Sequence, residues 1–463
     1  MSKIEVNTVE PQCGTTLTLG GSGDTVTLGS GASQTGFGRT GTVDWQTGSI
    51  KTTNFSAANG EGYFVDTSGG AVTMTLPAGV AGAIVSVADY GDNFSTFALT
   101  IQANGSDKIS GETLPALLET MGESATLVFV DSTEGWVTVN ASSENVKGSP
   151  FIQATGGTIT NTPTCRIHTF TGPGSFSVTR AACSAANNVV SYIVVAGGGA
   201  GGTGNPSSST NLGGGGGAGG FREDKSPVTP YTASPLDGAG AITVSVQTYP
   251  IVVGGGGTGQ APTGSNGPSG ANSTFSTITA HGGGGGGGTQ NGIAGGSGGG
   301  GGAAPSTSRS GGAGNTPPVS PAQGFAGGSG QHSPGSAKAG GGGGASAVGS
   351  NGVGGPTPPG TGSYGLGGAG VTTCISNAPV AYSGGGGGST NNGPFPASPN
   401  EQYVAGGTGG GGCGAYEPGQ NATNGTDNTG GGGGGGGASG TGPNQVGGNG
   451  GSGIVIIRYK NNN

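Results

Sequence analysis

The run Gly282-Gly283-Gly284-Gly285-Gly286-Gly287-Gly288 belongs to the stretch that decides the fold, residues 197–453, in which 91 of 257 residues are glycine. Uninterrupted glycine runs occur at 213–217, 254–257, 282–288, 298–302, 340–344, 384–388, 409–412 and 430–437. Collagen also approaches one-third glycine, but it requires a strict period of one glycine in every three residues, which such runs destroy. The stretch is therefore either a flexible linker or an ordered array that is built on glycine.

An ordered array of this composition must satisfy nearly all of its backbone hydrogen-bonding groups. Ordering glycine costs roughly 0.5–1 kcal/mol more than ordering alanine at each position, so the total extra cost is on the order of tens of kcal/mol. In the polyproline II conformation a glycine run has three residues per turn and no internal hydrogen bonds, and its N–H and C=O groups point sideways. Neighbouring runs can bond to these groups because the lack of Cβ allows close approach. This geometry predicts a stack of short polyglycine-II rods joined by loops.

Short apolar runs on both sides of the stretch favour the ordered array. Tyr192-Ile193-Val194-Val195-Ala196 precedes it and Ile454-Val455-Ile456-Ile457 follows it, and both runs are typical of buried strands. Similar runs inside it predict strands at 242–246, 250–253 and 275–279. Disordered segments usually carry high net charge, whereas residues 282–453 carry only five charged side chains. The linker alternative predicts protease sensitivity throughout 197–453.

Six motifs follow one another in a fixed order within residues 150–463. They are Ile167-His168-Thr169-Phe170, Tyr192-Ile193-Val194-Val195-Ala196-Gly197-Gly198-Gly199, Gly219-Gly220-Phe221-Arg222, Val252-Val253-Gly254-Gly255-Gly256, Asn272-Ser273-Thr274-Phe275 and Gly450-Gly451-Ser452-Gly453-Ile454-Val455-Ile456-Ile457-Arg458-Tyr459. This succession resembles the glycine-rich domain of bacteriophage tail-fibre and adhesin proteins, particularly those of marine phages. The resemblance implies a polyglycine-II helix sandwich on a small β base, with variable distal loops that touch a host receptor. Because such loops differ freely between family members, the resemblance assigns no contact residue.

The distribution of charge and apolar residues excludes several classes of protein. Residues 1–150 carry a net charge of −10 and residues 151–463 a net charge of +2, so the basic surface that nucleic acid requires is absent. No stretch approaches the roughly 18 apolar residues of a membrane span, and the first residues lack the apolar region of a signal peptide. We therefore expect no nucleic-acid partner, no membrane insertion, and synthesis in the cytoplasm. This suits a virion component that is made in the host cytoplasm and freed by lysis, and it also suits any cytosolic protein.

Residues 1–50 predict an assembly segment. Thr16-Leu17-Thr18-Leu19-Gly20 recurs nine residues later as Thr25-Val26-Thr27-Leu28-Gly29, and each alternation is typical of a half-buried strand. One chain has too few apolar residues here to build a core, so we expect several copies to pack together as a homotrimer that attaches to other virion proteins. The alternative is a flexible arm that orders only against a partner.

Residues 51–147 predict a small β-sandwich or barrel, with strands at 62–66, 71–77, 83–88, 97–101, 125–130 and 135–139. Residues 115–121 fit either one helical turn or a strand. Residues 148–196 add strands at 151–154, 166–170 and 175–178, which can join 192–196 and 454–459 in one small sheet, the β base of the glycine-rich domain 197–463. The predicted fold class is all-β with essentially no α-helix, and ends in a polyglycine-II sandwich.

The sequence predicts no catalytic residue, no cofactor and no metal site. Phosphate-loop patterns inside polyglycine lack the required lysine and the strand-to-helix context. His281 and His332 have no Cys or acidic partner at ligand spacing, and His168 alternates with Phe170 as a packed or surface residue. The acidic residues of 51–147 lie mainly beside turns, whereas a polysaccharide-cleaving tail spike needs two opposed carboxylates.

The cysteine residues form no C-x-x-C pair and their number is odd. They are Cys13, Cys165, Cys183, Cys374 and Cys413. We expect free thiols. A bridge between Cys165 and Cys183, or between Cys374 and Cys413, is the alternative.

The loops between glycine runs contain the candidate receptor-binding residues. These are Tyr364, Tyr382, Phe395, Tyr403 and Tyr416. Rigid aromatic side chains amid Ser, Asn and Gly are typical of adaptable binding loops, so we predict receptor contact from loops 371–382, 391–404 and 415–428. Antiparallel rods would send alternate loops to opposite ends, one set facing the base and the other forming a composite tip. The alternative is that the aromatic side chains cap the rod ends.

Together these observations predict a non-enzymatic virion protein, a tail fibre or fibre-tip adhesin. Its receptor would be a host cell-surface polysaccharide or outer-membrane protein. A capsid head-fibre or decoration protein of the same architecture is the nearest alternative. A polysaccharide-degrading tail spike and a storage-like or linker-like glycine-rich protein are the others.

Overall fold

The computed structural model describes residues 43–141, 151–182, 184–205, 210–305, 307–333, 336–353, 364–391, 403–416, 421–437 and 446–461. The repeats at 16–20 and 25–29 lie outside these ranges. The described residues form strands and glycine-rich rods, with a single 3-10 turn at Ala185–Asn188, so the all-β class is confirmed. No helix in these ranges has the length and apolar character needed to cross a membrane.

Residues 43–141 form a sandwich of two sheets. The strands are β1 (Asp44–Trp45), β2 (Phe55–Ser56), β3 (Glu61–Val65), β4 (Val72–Thr75), β5 (Ile84–Asp89), β6 (Leu99–Gln102), β7 (Ala116–Leu118), β8 (Ser124–Asp131) and β9 (Gly135–Ala141). One sheet has the order β1-β3-β5-β8-β9 and the other has the order β2-β4-β6-β7. They enclose one apolar core in which Met74, Ile101 and Trp136 are fully buried. Of the two predicted shapes, the structure shows the sandwich.

Residues 115–121 contribute a strand to this domain. β7 pairs antiparallel with β6, and Ala116 and Leu118 are buried on either side of the partly exposed Leu117. This alternation is that of a strand with one face on a core. β1 and β2 contain only two residues each and were not predicted from the sequence.

The remaining strands support the glycine-rich array. They are β10 (Gln153–Thr155), β11 (Thr158–Asn161), β12 (Cys165–Phe170), β13 (Gly174–Arg180), β14 (Val189–Val195), β15 (Phe221–Asp224), β16 (Ile242–Thr243), β17 (Thr248–Val252), β18 (Ser273–Phe275), β19 (Ile278–Ala280), β20 (Gln331–Ser333), β21 (Ser336–Lys338), β22 (Val371–Thr373), β23 (Val380–Tyr382) and β24 (Ile454–Lys460). One base sheet has the order β10-β13-β17-β18-β19. The second has the order β11-β12-β24-β14-β15, and β16 also pairs with β14.

The prediction of a single base sheet is therefore wrong. β10 and β13 lie in the first sheet, whereas β12, β14 and β24 lie in the second. Two sheets form because the apolar side chains of each need a partner face, and the base extends beyond residue 196 to recruit β15–β19. The predicted strand 275–279 is a hairpin, because Ser276 adopts a φ of 52° between β18 and β19.

An aromatic cluster between the base sheets joins distant parts of the chain. Phe275 packs against Phe176 with ring centroids 6.1 Å apart, and against Tyr192 at 5.8 Å. Tyr459 contacts Phe176 at 6.2 Å. β24 lies between β12 and β14, so the closing strand fixes the start and the end of the array to one sheet.

The glycine segments form rods with the polyglycine-II hydrogen-bond pattern. In rod 197–203, the N–H groups of Gly197, Ala200 and Thr203 donate to rod 265–271, those of Gly198 and Gly201 to rod 447–453, and those of Gly199 and Gly202 to rod 213–220. Donors to the same neighbour are three residues apart, which is the repeat of a helix with three residues per turn. The predicted ordered array is confirmed.

Rods 197–203 and 213–220 are among the rods of this array that are surrounded by neighbours on all sides. Rod 197–203 accepts hydrogen bonds from rods 254–257, 281–288 and 430–436, in addition to the three rods to which it donates. Rod 213–220 likewise exchanges hydrogen bonds with six neighbours. The backbone groups of these buried rods are thus satisfied by other backbone groups, as burial requires.

Close approach of the central rods requires glycine. A Cβ atom added to Gly216 would overlap the carbonyl oxygen of Gly199 in the neighbouring rod. At Gly255, on an outer rod, no atom outside its immediate chain neighbours lies within 4 Å of an added Cβ. The position of each rod in the array therefore decides whether glycine is required there.

Cys165, Cys374 and Cys413 are free thiols. The predicted alternative of a bridge between Cys374 and Cys413 is therefore wrong. Cys13 and Cys183 lie outside the described residues.

Candidate functional site

The rods run alternately away from the base and back to it. β14 leads into rod 197–203, and rod 213–220 returns to β15, which pairs with β14. Residues 204–205 and 210–212 therefore lie at the end of the rods opposite the base, which we call the distal end. Rods 281–288 and 292–296 are antiparallel in the same way. The backbone N–H of Ile293 donates to the carbonyl oxygen of Gly285, and that of Gly296 donates to the carbonyl oxygen of Gly282.

Following this alternation assigns each connection to one end. The described residues at the distal end are 204–205, 210–212, 258–264, 289–291, 303–305, 307–309, 331–333, 336–338, 364, 390–391, 403–404, 416, 421–422, 437 and 446. Those at the base end include 314–323, 371–382 and 427–429. The candidate loops are thus divided. The described residues 391, 403–404 and 415–416 lie at the distal end, whereas loop 371–382 lies at the base end.

Tyr364 lies at the distal end against a buried lysine. The Nζ atom of Lys338 is 4.1 Å from the centroid of the Tyr364 ring, within the range of cation–π attraction. Lys338 is 2% exposed, and burial lowers the pKa of its ammonium group below the ordinary value. Tyr364 also forms an antiparallel bridge with Gly352. The aromatic side chain is therefore held by a specific neighbour.

Tyr416 belongs to the same row of residues. Lys338 forms an antiparallel bridge with Thr390, and Thr390 forms a parallel bridge with Tyr416. Sequence reasoning missed Lys338 and Thr390 as part of this site. The available signal was that Lys338 is one of only five charged residues in 282–453, where a charge needs a local reason.

Tyr403 presents the most exposed of the candidate tyrosine side chains that the structure describes at the distal end. It is 37% exposed and precedes Val404, which is buried and bridges to Gly414. Tyr364, Tyr403 and Tyr416 therefore share one end of the array. Phe395, another candidate, lies outside the described residues.

Tyr382 is a core residue and not a surface contact. It is 3% exposed, and its ring stacks on Phe221 with centroids 6.5 Å apart. β22 and β23 form a hairpin whose inward side chains include Val371 and Tyr382. The prediction that Tyr382 touches a receptor is therefore wrong, because loop 371–382 packs on the base. The alternation Val371, Thr373 and Val380, Tyr382 was the signal for a buried hairpin.

A buried carboxylate holds this hairpin in place. Glu223 accepts hydrogen bonds from Thr373 Oγ1 at 2.6 Å, Ser234 N at 2.9 Å and Tyr231 Oη at 3.2 Å. Burial raises the pKa of Glu223, and the surrounding donors act in the opposite direction. Because every contact is internal, this arrangement serves to join β15, the 226–240 loop and the hairpin.

Arg458 anchors the same hairpin from β24. Its guanidinium donates to the carbonyl oxygen of Ile375 at 3.1 Å and to that of Pro230 at 2.9 Å. Among the described residues, no group of three or more His, Cys, Asp or Glu side chains could hold a metal ion. Both terminal nitrogen atoms of Arg458 thus have structural partners.

His168 is fully buried within the base. Its Nδ1 lies 2.7 Å from the carbonyl oxygen of Gly156, which can only accept, so Nδ1 carries the proton. Nε2 then accepts from the Tyr459 hydroxyl at 3.1 Å. Burial lowers the pKa of His168, which keeps the ring neutral. The structure places this histidine among packed residues.

A comparison with known families matches part of this chain. The model of a family described as a glycine-rich domain matches residues 171–460, which is more than half of the sequence. The match covers the array and most of its base. No curated protein matches the chain.

Proposed function

The chain belongs to the glycine-rich domain family, and from that premise we propose that it is a virion structural protein, a tail fibre or fibre-tip adhesin of a bacteriophage. It binds a receptor on the host cell surface, a polysaccharide or an outer-membrane protein, through the distal loops of its glycine-rich array. It assembles as a homotrimer and attaches to other virion proteins through its amino-terminal segment.

The observation that carries this proposal is the gathering of Tyr364, Tyr403 and Tyr416 at one end of a hydrogen-bonded array. Tyrosine provides large contact area at low conformational cost, which is how binding loops gain affinity. The rods beneath are fixed by backbone hydrogen bonds in several directions, so loops that differ in sequence can change without disturbing their support.

Two equally exposed aromatic side chains at opposite ends of the array provide the test. Tyr403 at the distal end and Phe325 at the base end are each 37% exposed. Full-length protein, labelled and incubated with envelope preparations from a panel of bacteria, should bind some of them. Tyr403→Ala should weaken that binding, whereas Phe325→Ala should leave it unchanged.

Three results would contradict the proposal or part of it. Equal effects of the two substitutions would show that the distal end is not the binding surface. Binding to no envelope in a broad panel would contradict the adhesin function. Incubation with the bound polysaccharide should release no reducing ends, and their release would replace the proposal with a tail-spike enzyme.

A further inference from the structure

The five-stranded sheet of residues 43–141 has one face in the core and one face outside it. Tyr63, Val85, Val87 and Leu127 point into the core. Side chains alternate along a strand, so those between them project to the opposite side, which we call the outer face. By the strand register it comprises Gly62, Phe64, Ile84, Ser86, Ala88, Ser124, Thr126, Val128, Val137 and Asn140, together with Trp45 and Val139.

Aromatic rings cover one edge of the outer face. A Cβ on Gly62 would lie 2.7 Å from the Trp45 indole, so this ring lies directly over β3. Trp45 and Phe64 have ring centroids 4.9 Å apart, and Phe64 and Tyr90 have centroids 6.5 Å apart. Trp45 is 38% exposed although it is among the largest apolar side chains of the molecule.

The outer face is uncharged within a strongly acidic domain. Residues 43–141 contain eleven acidic and two basic side chains, a net charge of −9, yet none of the outer-face residues is charged. Two of its three hydroxyls, Ser86 Oγ and Thr126 Oγ1, lie 2.8 Å apart and bond to each other. The sheet is mixed: β1, β3 and β5 are parallel, β8 is antiparallel to β5, and β9 is antiparallel to β8. A sheet face in contact with water normally carries mostly polar and charged side chains, so the largely apolar composition of this face indicates that it is covered.

The size of the outer face argues against a second copy as its cover. Five strands about 4.8 Å apart and about five residues long give an area of roughly 400 Å². Pairing two such faces would bury about 800 Å² in total, below the roughly 1,200–2,000 Å² of stable protein interfaces. Two domains of charge −9 would also repel each other.

The segment that enters the sheet at this edge has the composition of a cover. The described chain begins at Val43 and continues directly into β1, the strand that carries Trp45. Residues 11–38 contain one charged side chain, Asp24, and the two alternating repeats at 16–20 and 25–29. Leu17, Leu19, Val26 and Leu28 supply the apolar side of these repeats.

We propose that residues 11–38 dock their apolar repeat side chains onto the outer face of the same chain. In this arrangement the two repeats pack within one chain and not between copies, so the proposed homotrimer would be held together by other contacts. The arrangement does not depend on the proposed virion function. The burial of Trp45 and Val139 against the leucine and valine side chains provides the driving force, since removing apolar surface from water is favourable.

Quenching of tryptophan fluorescence by acrylamide tests this proposal on the full-length chain. Trp136 is fully buried and serves as a constant background, so the quenching reports on Trp45. We expect Trp45 to be protected in the native protein. In the combined variant Leu17→Asn, Leu19→Asn, Val26→Asn and Leu28→Asn, its quenching constant should rise severalfold.

A second pair of variants tests the same contact from the other side. Val139 on the outer face is 60% exposed and Val246 in the glycine-rich half is 56% exposed, so a charge at either position leaves the described fold intact. Val139→Glu should increase the quenching of Trp45 as the repeat substitutions do. Val246→Glu should leave it at the native value.

Two results would overturn the proposal. Equal accessibility of Trp45 in the native protein and in the repeat variant would show that residues 11–38 do not cover it. Protection that disappears on dilution, in step with a fall in mass by light scattering, would assign the outer face to a second copy.

Discussion

Thr373 Oγ1 donates a 2.6 Å hydrogen bond to Glu223 Oε1, and both residues are buried. The two residues are 150 positions apart in the chain, so the contact joins the β22–β23 hairpin to the β base. It explains why loop 371–382 is a support of the array and not a part of its tip. A buried carboxylate is tolerated here because three donors surround it.

Removing this donor should destabilise the glycine-rich domain. Thr373→Val keeps the shape of the side chain but leaves one lone pair of Glu223 unsatisfied, at a cost of about 1–3 kcal/mol. Thr372→Val is the matched control, because Thr372 is exposed on the same strand. Denaturant titration followed by tyrosine near-UV circular dichroism measures the free energy of unfolding of both variants. Equal stability of the two variants would refute the role of the contact.

His168 should make the base sensitive to acid. Because the pKa of the folded-state imidazole is lowered below 6.5, the stability that it contributes is present above pH 6.5 and is lost as the pH falls through the folded-state pKa. The loss is about 1.4 kcal/mol for each pH unit in that window. Protonation at Nε2 would also remove the acceptor of the Tyr459 hydroxyl.

The variant His168→Gln should reduce the dependence of stability on pH, since glutamine does not titrate. Thermal unfolding midpoints measured from pH 7.5 down to pH 5 would report it. His332→Gln, at a partly exposed distal position, should retain the dependence of the native protein. A native protein whose midpoint is constant over this range would contradict the assignment.

The effect of a methyl group should depend on the position of the rod. Gly216→Ala places Cβ against the carbonyl oxygen of Gly199, and because both are backbone positions no side-chain rotation relieves the overlap. We expect a loss of more than about 4 kcal/mol. Gly255→Ala meets no atom within 4 Å and should change stability by less than about 1 kcal/mol.

Limited proteolysis with fragment masses separates the two glycine variants. Native protein and Gly255→Ala should both yield a resistant fragment that spans about 150–463, as an ordered array requires. Gly216→Ala should lose that fragment. Rapid digestion of the native protein would refute the array itself.

The rods could be predicted from the sequence because their geometry is local. An uninterrupted glycine run such as 282–288 admits few ordered states that satisfy its backbone, and the β-branched runs at 192–196 and 454–457 identify β14 and β24 directly. The fold class follows from these features. The assignment of loops to the two ends does not.

That assignment depends on turns that leave no signal in composition. The chain reverses direction at 295–297 and 345–347 within glycine-rich sequence, without the Pro- and Asn-rich segments that mark other connections. Each unrecognised reversal exchanges the ends of all later loops, so composition alone could not decide at which end Tyr382 lies. Contacts such as that between Glu223 and Thr373 are likewise visible only after folding, because they join distant residues.

The cation–π pair at the distal end should affect binding more than folding. Lys338→Met retains an apolar stem but removes the charge that attracts the Tyr364 ring, a contribution of about 0.5–2 kcal/mol to the placement of that side chain. We expect weaker binding to the envelope preparation that the native protein recognises, with partial recovery in Lys338→Arg. Lys225→Met is the matched control, because Lys225 Nζ lies 5.7 Å from the Tyr231 ring at the base end. Both variants lose one charge and one aromatic contact. A loss of binding confined to Lys338→Met would trace the effect to the end of the array where Tyr364, Tyr403 and Tyr416 lie. Equal losses of binding in the two variants would trace the effect to charge alone.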